Sequence, residues 1–292
     1  MKFIITGDSG FIGKPLAQRL SKEHEVLGIS RTDIKTNYKR EILNLVEVNP
    51  DVLQKIVDDF QPDVIFHLAG YALVKNYSWE VTQNNIIPLH KILEVIPKHC
   101  QLIFASSATV YGQHTTPRFV GDETRPDSIY AETKLFCEKL IDKYHKVYNS
   151  LDNYKILRFC AHVSSESTHG LVHDIYLKLT SDNPYLELFG KIPGARKPFL
   201  WIDDSIRAIM ESVNLSSGTY NIAPNDNLSV QEVASIIMEG LDIKKPIKFV
   251  NGGWLGDTEY VCLKSDFPWI RTSREAIQTY IRITTSQGDD GL

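Results

Sequence analysis

Along the first half of the chain, short apolar runs of strand length alternate with longer stretches whose apolar residues recur every three to four positions. Phe3, Ile4 and Ile5 form the first run, and Phe11, Ile12, Leu16 and Leu20 follow it with the spacing of one helix face. The same reading predicts a strand at 25–29, an amphipathic helix near 51–60, a strand at 63–68 and a helix over 82–96. A strand at 101–105, a long helix over 130–148 and a strand at 155–159 complete the series. Regular strand–helix alternation implies right-handed crossovers and a parallel sheet, so the predicted class is α/β with a doubly wound sheet. Beyond about Ala161 the pattern loosens, with Pro184, Pro193 and Pro198 interrupting it. Short strands at 185–189 and 199–202 and helices at 204–213 and 230–239 predict a smaller, partly intertwined C-terminal lobe for substrate. The expected division is 1–160 for the first domain and 161–283 for the lobe, parts of which return to the first domain. The last stretch, TTSQGDDGL at 284–292, has no apolar pattern and is expected to be a disordered tail.

Chemistry enters where the first strand gives way to the first helix. Gly7, Gly10 and Gly13 fall in that turn, within KFIITGDSGFIG. Gly7 suits a sharp turn, Gly10 leaves room for a pyrophosphate against the backbone, and Gly13 lets the helix lie close to the sheet. Free N–H groups and the helix dipole attract the anion. A strand, a glycine turn and a helix in this order predict a Rossmann-type dinucleotide site.

Composition narrows the setting. A net charge of −4 with acids and bases interspersed gives no nucleic-acid surface. No apolar run approaches the roughly 20 residues that span a bilayer. A strand at the start leaves no space for a signal peptide, and Cys100, Cys137, Cys160 and Cys262 make neither metal-ligand pairs nor a disulfide framework. The expectation is a cytoplasmic protein without a metal.

A second signal is Tyr130 followed by Lys134, which share a helix face at i and i+4. A nearby ammonium favours the phenolate, so the phenol pKa, ordinarily about 10, is expected to fall toward neutrality for acid–base work. Tyr71 and Lys75, and Tyr260 and Lys264, have the same spacing. Tyr130 alone follows a strand that ends in Ser106 and Ser107, and strand ends are where an open α/β sheet holds its ligand chemistry.

With these residues the chain resembles the extended short-chain dehydrogenase/reductases, the NAD(P)-dependent epimerase/dehydratase group. The motifs that carry the resemblance are GDSGFIG at 7–13, FHLAG at 66–70, NNIIP at 84–88 and SSATVYG at 106–112. YAETK at 130–134, LRF at 157–159 and FLWIDDS at 199–205 extend it across nearly the whole chain. The resemblance implies a catalytic triad of Ser107, Tyr130 and Lys134. It also implies cofactor contacts at Gly7, Ser9, Gly10, Phe11, Ile12, Gly13, Ser30, Arg31, Asn44 and Leu45. Further cofactor contacts are expected at Leu68, Ala69, Gly70, Asn85, Ala105 and Phe159, together with Tyr130 and Lys134. A homodimer through a four-helix bundle of the helices around Asn85 and Tyr130 is implied as well.

Within the family, SSATVYG looks like the segment of UDP-galactose 4-epimerases. Sugar-nucleotide 4,6-dehydratases carry an Asp-Glu pair where this chain has Ala108 and Thr109, neither of which exchanges a proton at neutral pH. At the end of the second strand, an acid would hold the ribose of NAD. Here Ser30 and Arg31 stand there, and Arg31 can pair with a 2′-phosphate, which favours NADP over NAD. Asp33 is a rival ribose ligand. Substrate contacts are expected from Ser107, from Ala161 and His162 after the LRF strand, and from Arg196 and Lys197 for a diphosphate. A second family arginine is replaced by Trp254 or Leu255.

The leading expectation is therefore an NAD(P)-dependent oxidoreductase of a nucleoside-diphosphate sugar, acting as a 4-epimerase or a 4-keto reductase. Rivals are an NADPH-dependent reductase of a non-sugar carbonyl and a non-catalytic NADP-sensing protein. The complete triad argues against the last.

Overall fold

The computed structural model describes residues 1–72, 78–114, 116–250 and 265–289. In chain order it begins with β1 (Lys2–Thr6), α1 (Gly13–Leu20), β2 (Glu25–Ser30), β3 (Lys39–Ile42) and α2 (Pro50–Phe60). There follow β4 (Val64–His67), α3 (Trp79–Val95), β5 (Gln101–Ser107), a 3-10 turn (Ala108–Tyr111), α4 (Ile129–Lys146) and β6 (Asn153–Phe159). Next come β7 (Ala161–Val163), α5 (Leu171–Thr180), β8 (Leu186–Phe189), β9 (Arg196–Lys197), β10 (Phe199–Trp201) and α6 (Ile202–Ser212). β11 (Gly218–Ile222), β12 (Leu228–Ser229), α7 (Val230–Leu241), β13 (Ile247–Val250) and α8 (Ser273–Asp289) close the series. The contacts divide the chain into two units. The first takes Met1–Val110, Thr124–Arg158 and Ile206–Tyr220, and the second takes Tyr111–Glu123, Phe159–Ser205 and Asn221–Leu292.

The first unit is built on a seven-stranded sheet in the order β11-β6-β5-β4-β1-β2-β3. β1 runs parallel to both β2 and β4, with Ile4 opposite Leu27 and Ile65. The chain leaves β1 toward β2 on one side and reaches β4 on the other, so the strand order reverses there. The crevice at the carboxyl ends beside such a reversal is where this architecture takes its ligands. β1, β2 and β4 read as continuous apolar runs because both faces are covered. Ile4, Ile29, Leu53, Val57, Ile65, Leu89 and Ile92 pack into the core with no exposed surface.

Local signals fix the helix starts. Pro50 opens α2 behind Asn49, whose side chain accepts from the Asp51 N–H. Ser128 Oγ accepts from the Ala131 N–H and starts α4 so that Tyr130 lies in its first turn. β3, Lys-Arg-Glu-Ile at the sheet edge, is absent from the pattern-based expectation. Its largely exposed charged residues carry no apolar alternation, as suits an edge that resists further pairing.

Among the described residues the second unit holds three two-stranded sheets: β7 with β10, β8 with β13, and β9 with β12. Ser229 and Glu232 form a reciprocal cap on α7. α5 and α8 are also absent from the expected elements. α8 corrects the tail: 284–289 is helical, because buried Ile277, Tyr280 and Ile281 anchor the helix upstream. The Thr285 and Ser286 hydroxyls then bond back to the carbonyls of Ile281 and Arg282. Among the described residues no helix is long and apolar enough to cross a membrane.

Candidate active site

The glycine turn is closed on itself by backbone. Gly7 N donates to Ile29 O at 2.7 Å, Gly10 N to Gly7 O at 2.9 Å and Lys14 N to Gly10 O at 3.0 Å. Gly7 has φ +76°, and a Cβ there would stand 2.8 Å from Ala69 N. A Cβ on Gly13 would collide with the Gly7 carbonyl, so α1 can begin this close to the turn only with glycine. The turn opens on a cavity of about 220 Å³. Its walls include Gly7, Ser9 and Gly10 from the turn, Ser30 and Arg31 at the end of β2, Asn44 and Leu45 after β3, and Leu68, Ala69 and Gly70 after β4. Tyr71, Asn84 and Pro88 complete that side. Backbone with no side chain to fill it, beside a helix start, fits a pyrophosphate.

Among the described residues that line the cavity, Arg31 is the one with a charge. Asp33, the rival ribose ligand, is not among them; its side chain is 79% exposed and accepts from Arg40 Nη1 at 3.4 Å. Arg40 itself and Asp8 escaped the sequence reading. Asp8, inside the glycine turn, is fully buried and accepts from Arg40 Nε at 2.6 Å and from Tyr38 Oη at 3.1 Å. The available signal was an acid between two glycines directly after an apolar strand.

Gly70 joins this cavity to the second set of residues. A Cβ on it would lie 2.6 Å from Asn85 Oδ1 and 3.4 Å from Lys134 Nζ. Asn85 is buried, donates to the carbonyls of Val81 and Tyr71, and accepts from the Tyr71 N–H, so it fixes the segment after Gly70. Lys134 Nζ donates to Ala105 O at 2.9 Å and stands 4.9 Å from the centre of the Phe104 ring. Burial holds the Lys134 ammonium below its ordinary pKa. His67 stacks on Phe104, and burial together with Lys134 pulls its pKa down to about 3, so it is neutral. Phe11, Ile12, Gly13, Asn85, Ala105, Tyr130 and Lys134 do not line the cavity itself.

A polar interaction with Ser107 acts to lower the Tyr130 pKa, against the effect of burial. Ser107 Oγ in turn accepts from Thr109 N at 3.2 Å and from Thr109 Oγ1 at 2.9 Å. With its lone pairs engaged, the Ser107 hydroxyl has its proton to offer. Thr109 was seen in the sequence only as a residue unable to exchange a proton; its place is to orient Ser107. The expected fall of the Tyr130 pKa is corrected. Burial raises it to about 12, while Lys134 Nζ is held on Ala105 O and lies 5.9 Å from the Tyr130 ring centre. Beneath the site, Glu138 accepts from Ser106 Oγ and forms a buried pair with Arg158, Nη2 to Oε2 at 2.6 Å.

The remaining predicted residues belong to the second unit. Ala161 and His162 lie on β7 opposite Phe199 and Leu200. His162 tilts against Phe159, and burial lowers its pKa to about 4. Arg196 and Lys197 form β9 opposite Ser229 and Leu228. Arg196 pairs with Glu232 at 3.1 Å and donates to Asn227 O, so its charge is already matched. Trp254 and Leu255 lie outside the described residues. So do Cys262, Lys75 and the Tyr260–Lys264 pair. Among the described residues no group of three or more His, Cys, Asp or Glu side chains could hold a metal ion.

The profile of the NAD dependent epimerase/dehydratase family matches residues 3–223. The chain is 28% identical over 261 residues to an uncharacterized UDP-glucose epimerase, YtcB, of Bacillus subtilis (strain 168), covering 81% of each. It is 36% identical over 172 residues to the protein CapI of Staphylococcus aureus, covering 51% of each. In structure it resembles the UDP-glucose 4-epimerase of Thermus thermophilus in complex with NAD: TM-score 0.84, 20% identity, 98% of this chain and 99% of that one. It also resembles MoeE5 in complex with UDP-glucuronic acid and NAD: TM-score 0.85, 22% identity, 98% and 100% of the two chains. At these identities the structural likeness establishes the fold.

Proposed function

The chain belongs to the NAD-dependent epimerase/dehydratase family of enzymes, and from that premise we propose that it is an oxidoreductase acting at C4 of a nucleoside-diphosphate sugar. The observation that carries this reading is the continuity between the two sets of residues. Gly70, on the wall of the cavity beside the glycine turn, also abuts Lys134 Nζ, one helical turn from Tyr130.

When bound, the nicotinamide supplies a hydride acceptor and donor. The chain's residues handle the proton. Tyr130 Oη exchanges it with the oxygen on the sugar carbon, and Ser107, its lone pairs engaged by Thr109, steadies that oxygen by donation. Lys134, fixed on Ala105 O and next to Gly70, would position the nicotinamide ribose. Gly7, Gly10 and the start of α1 hold the pyrophosphate, and Arg31, Asn44 and Leu45 face the adenosine. Ala108 and Thr109 provide no acid–base pair for a dehydratase.

Inversion at C4 is the first outcome, in keeping with the SSATVYG segment. Net reduction of a 4-keto sugar with NADPH is the second, and one observation favours it. Arg31 is the sole charged residue among the described residues of the cavity wall, which suits a 2′-phosphate. A homodimer agrees with the exposed Trp79 at the start of α3 and Phe136 on α4. A cytoplasmic setting agrees with the free thiols of Cys100, Cys137 and Cys160.

The test is incubation of the purified protein with NAD(H) or NADP(H) and a panel of UDP-, GDP- and dTDP-sugars, following absorbance at the nicotinamide band and product stereochemistry. Inverted sugar without net cofactor change supports epimerisation, and NADPH consumption with a keto sugar supports reduction. No change in any sugar of the panel would defeat both.

A further inference from the structure

Arg40 is the busiest side chain around the cavity, yet it does not line it. Its guanidinium reaches in two directions. On one side Nε and Nη2 form a fork on the two carboxylate oxygens of Asp8, at 2.6 and 3.2 Å. On the other side Nη2 donates to Ser30 Oγ at 2.6 Å and Thr32 O at 2.9 Å, while Nη1 reaches Asp33 Oδ1 and Ile34 O at 3.4 Å each. Only 7% of the Arg40 side chain and none of Asp8 is exposed. Gly28 makes the room, since a Cβ there would collide with Asp8 Oδ2.

One buried group therefore ties the glycine turn to the loop that carries Arg31. Ser30 Oγ is consumed by it, accepting from Arg40 and donating to Thr32 O at 3.3 Å. Asp33 is drawn to the far side of the guanidinium, off the cavity wall. What the loop then presents to a ligand is Arg31, with no carboxylate among the described lining residues. We propose that Arg40 is a positioning residue for cofactor choice: by clamping Asp8 to Ser30, Thr32 and Asp33 it fixes the loop so that Arg31 meets a phosphate on the adenosine 2′ oxygen. This rests on the reading of Arg31 as the phosphate-facing residue. It adds that the preference is set from behind, by a group that touches no ligand.

The test uses fragments of the adenosine end, which report binding without any turnover. Adenosine 2′,5′-bisphosphate and AMP are titrated calorimetrically into the full-length protein, and the ratio of their dissociation constants is read. Arg40→Lys keeps a positive charge beside Asp8 but cannot reproduce the fork that also reaches Ser30 and Thr32. Arg31→Ala is expected to lower the preference for the bisphosphate about tenfold, the size of one charge-assisted contact. Arg40→Lys is expected to lower it by a similar factor, and the double variant no further. Ser30→Ala, which leaves the Asp8–Arg40 pair whole, is expected to lower it about threefold and decides the matter should Arg40→Lys not fold. A role in folding alone would weaken both ligands equally and leave the ratio unmoved.

An unchanged ratio in Arg40→Lys, or in Ser30→Ala where that variant decides, overturns the proposal while a fall in Arg31→Ala preserves the Arg31 reading. A ratio in the double variant well below that of Arg31→Ala overturns it too, since Arg40 would then touch the phosphate itself. No effect of Arg31→Ala overturns both readings.

Discussion

At the scale of single residues, the chemistry depends on which lone pairs and protons are left over. Ser107 would be ambiguous by itself, because a hydroxyl both donates and accepts. Thr109 removes the ambiguity by filling the acceptor sites of Ser107 from its backbone N–H and its hydroxyl. Thr109→Val keeps the backbone donor and removes the other. A single hydrogen bond contributes about 1 kcal/mol, so kcat is expected to fall about 3- to 10-fold with KM little changed. Steady-state kinetics on the sugar nucleotide identified by the panel checks this; an unaltered kcat would remove Thr109 from the site. Neither this role nor the raised pKa of Tyr130 was legible from the sequence. Spacing puts Tyr130 and Lys134 on one face of a helix, but the direction of the shift follows from burial.

At the scale of elements, the sheet carries buried charge at both ends. Toward the carboxyl ends of the strands, Glu138 of α4 and Arg158 of β6 hold each other and Ser106. Near the start of β6, Lys155 is fully buried with amide oxygens for partners. Its ammonium donates to Gln101 Oε1 and Asn153 Oδ1 at 2.7 and 2.8 Å, and burial lowers its pKa to about 8. An unfolded lysine titrates near 10.4, so between about pH 8 and 10.4 the unfolded chain binds the extra proton and stability rises with pH. The wild-type unfolding free energy is expected to climb over that window, by on the order of 2 kcal/mol relative to Lys155→Met, whose own curve lacks this rise. Parallel urea titrations of the two proteins decide it, and equal slopes would mean that Lys155 is more hydrated than its neighbours suggest. The covered strands were legible because continuous apolar runs announce them. β3 was not, since an edge strand of mostly exposed charged residues has no period to read.

At the scale of the whole molecule, the order of motifs along the chain proved more informative than any one of them. The glycine turn, the residues after β4 and the end of β5 are far apart in sequence, yet Gly7 abuts Ala69, and Gly70 abuts Lys134. The doubly wound sheet accounts for this, because it collects the carboxyl ends of β1, β4 and β5 along one edge. A pattern reading finds such ends readily. It misses pairings such as Asp8 with Arg40, which depend on the space left by a glycine on a neighbouring strand. It also misses α5 and α8 in the second unit. The account stands on Tyr130 as the proton-transfer group, and its most direct test is the turnover number of Tyr130→Phe beside wild type on the same sugar nucleotide. Loss of a positioned acid–base group predicts a fall in kcat of about 10²- to 10⁴-fold with dinucleotide binding retained. Turnover by Tyr130→Phe at the wild-type rate would contradict the account.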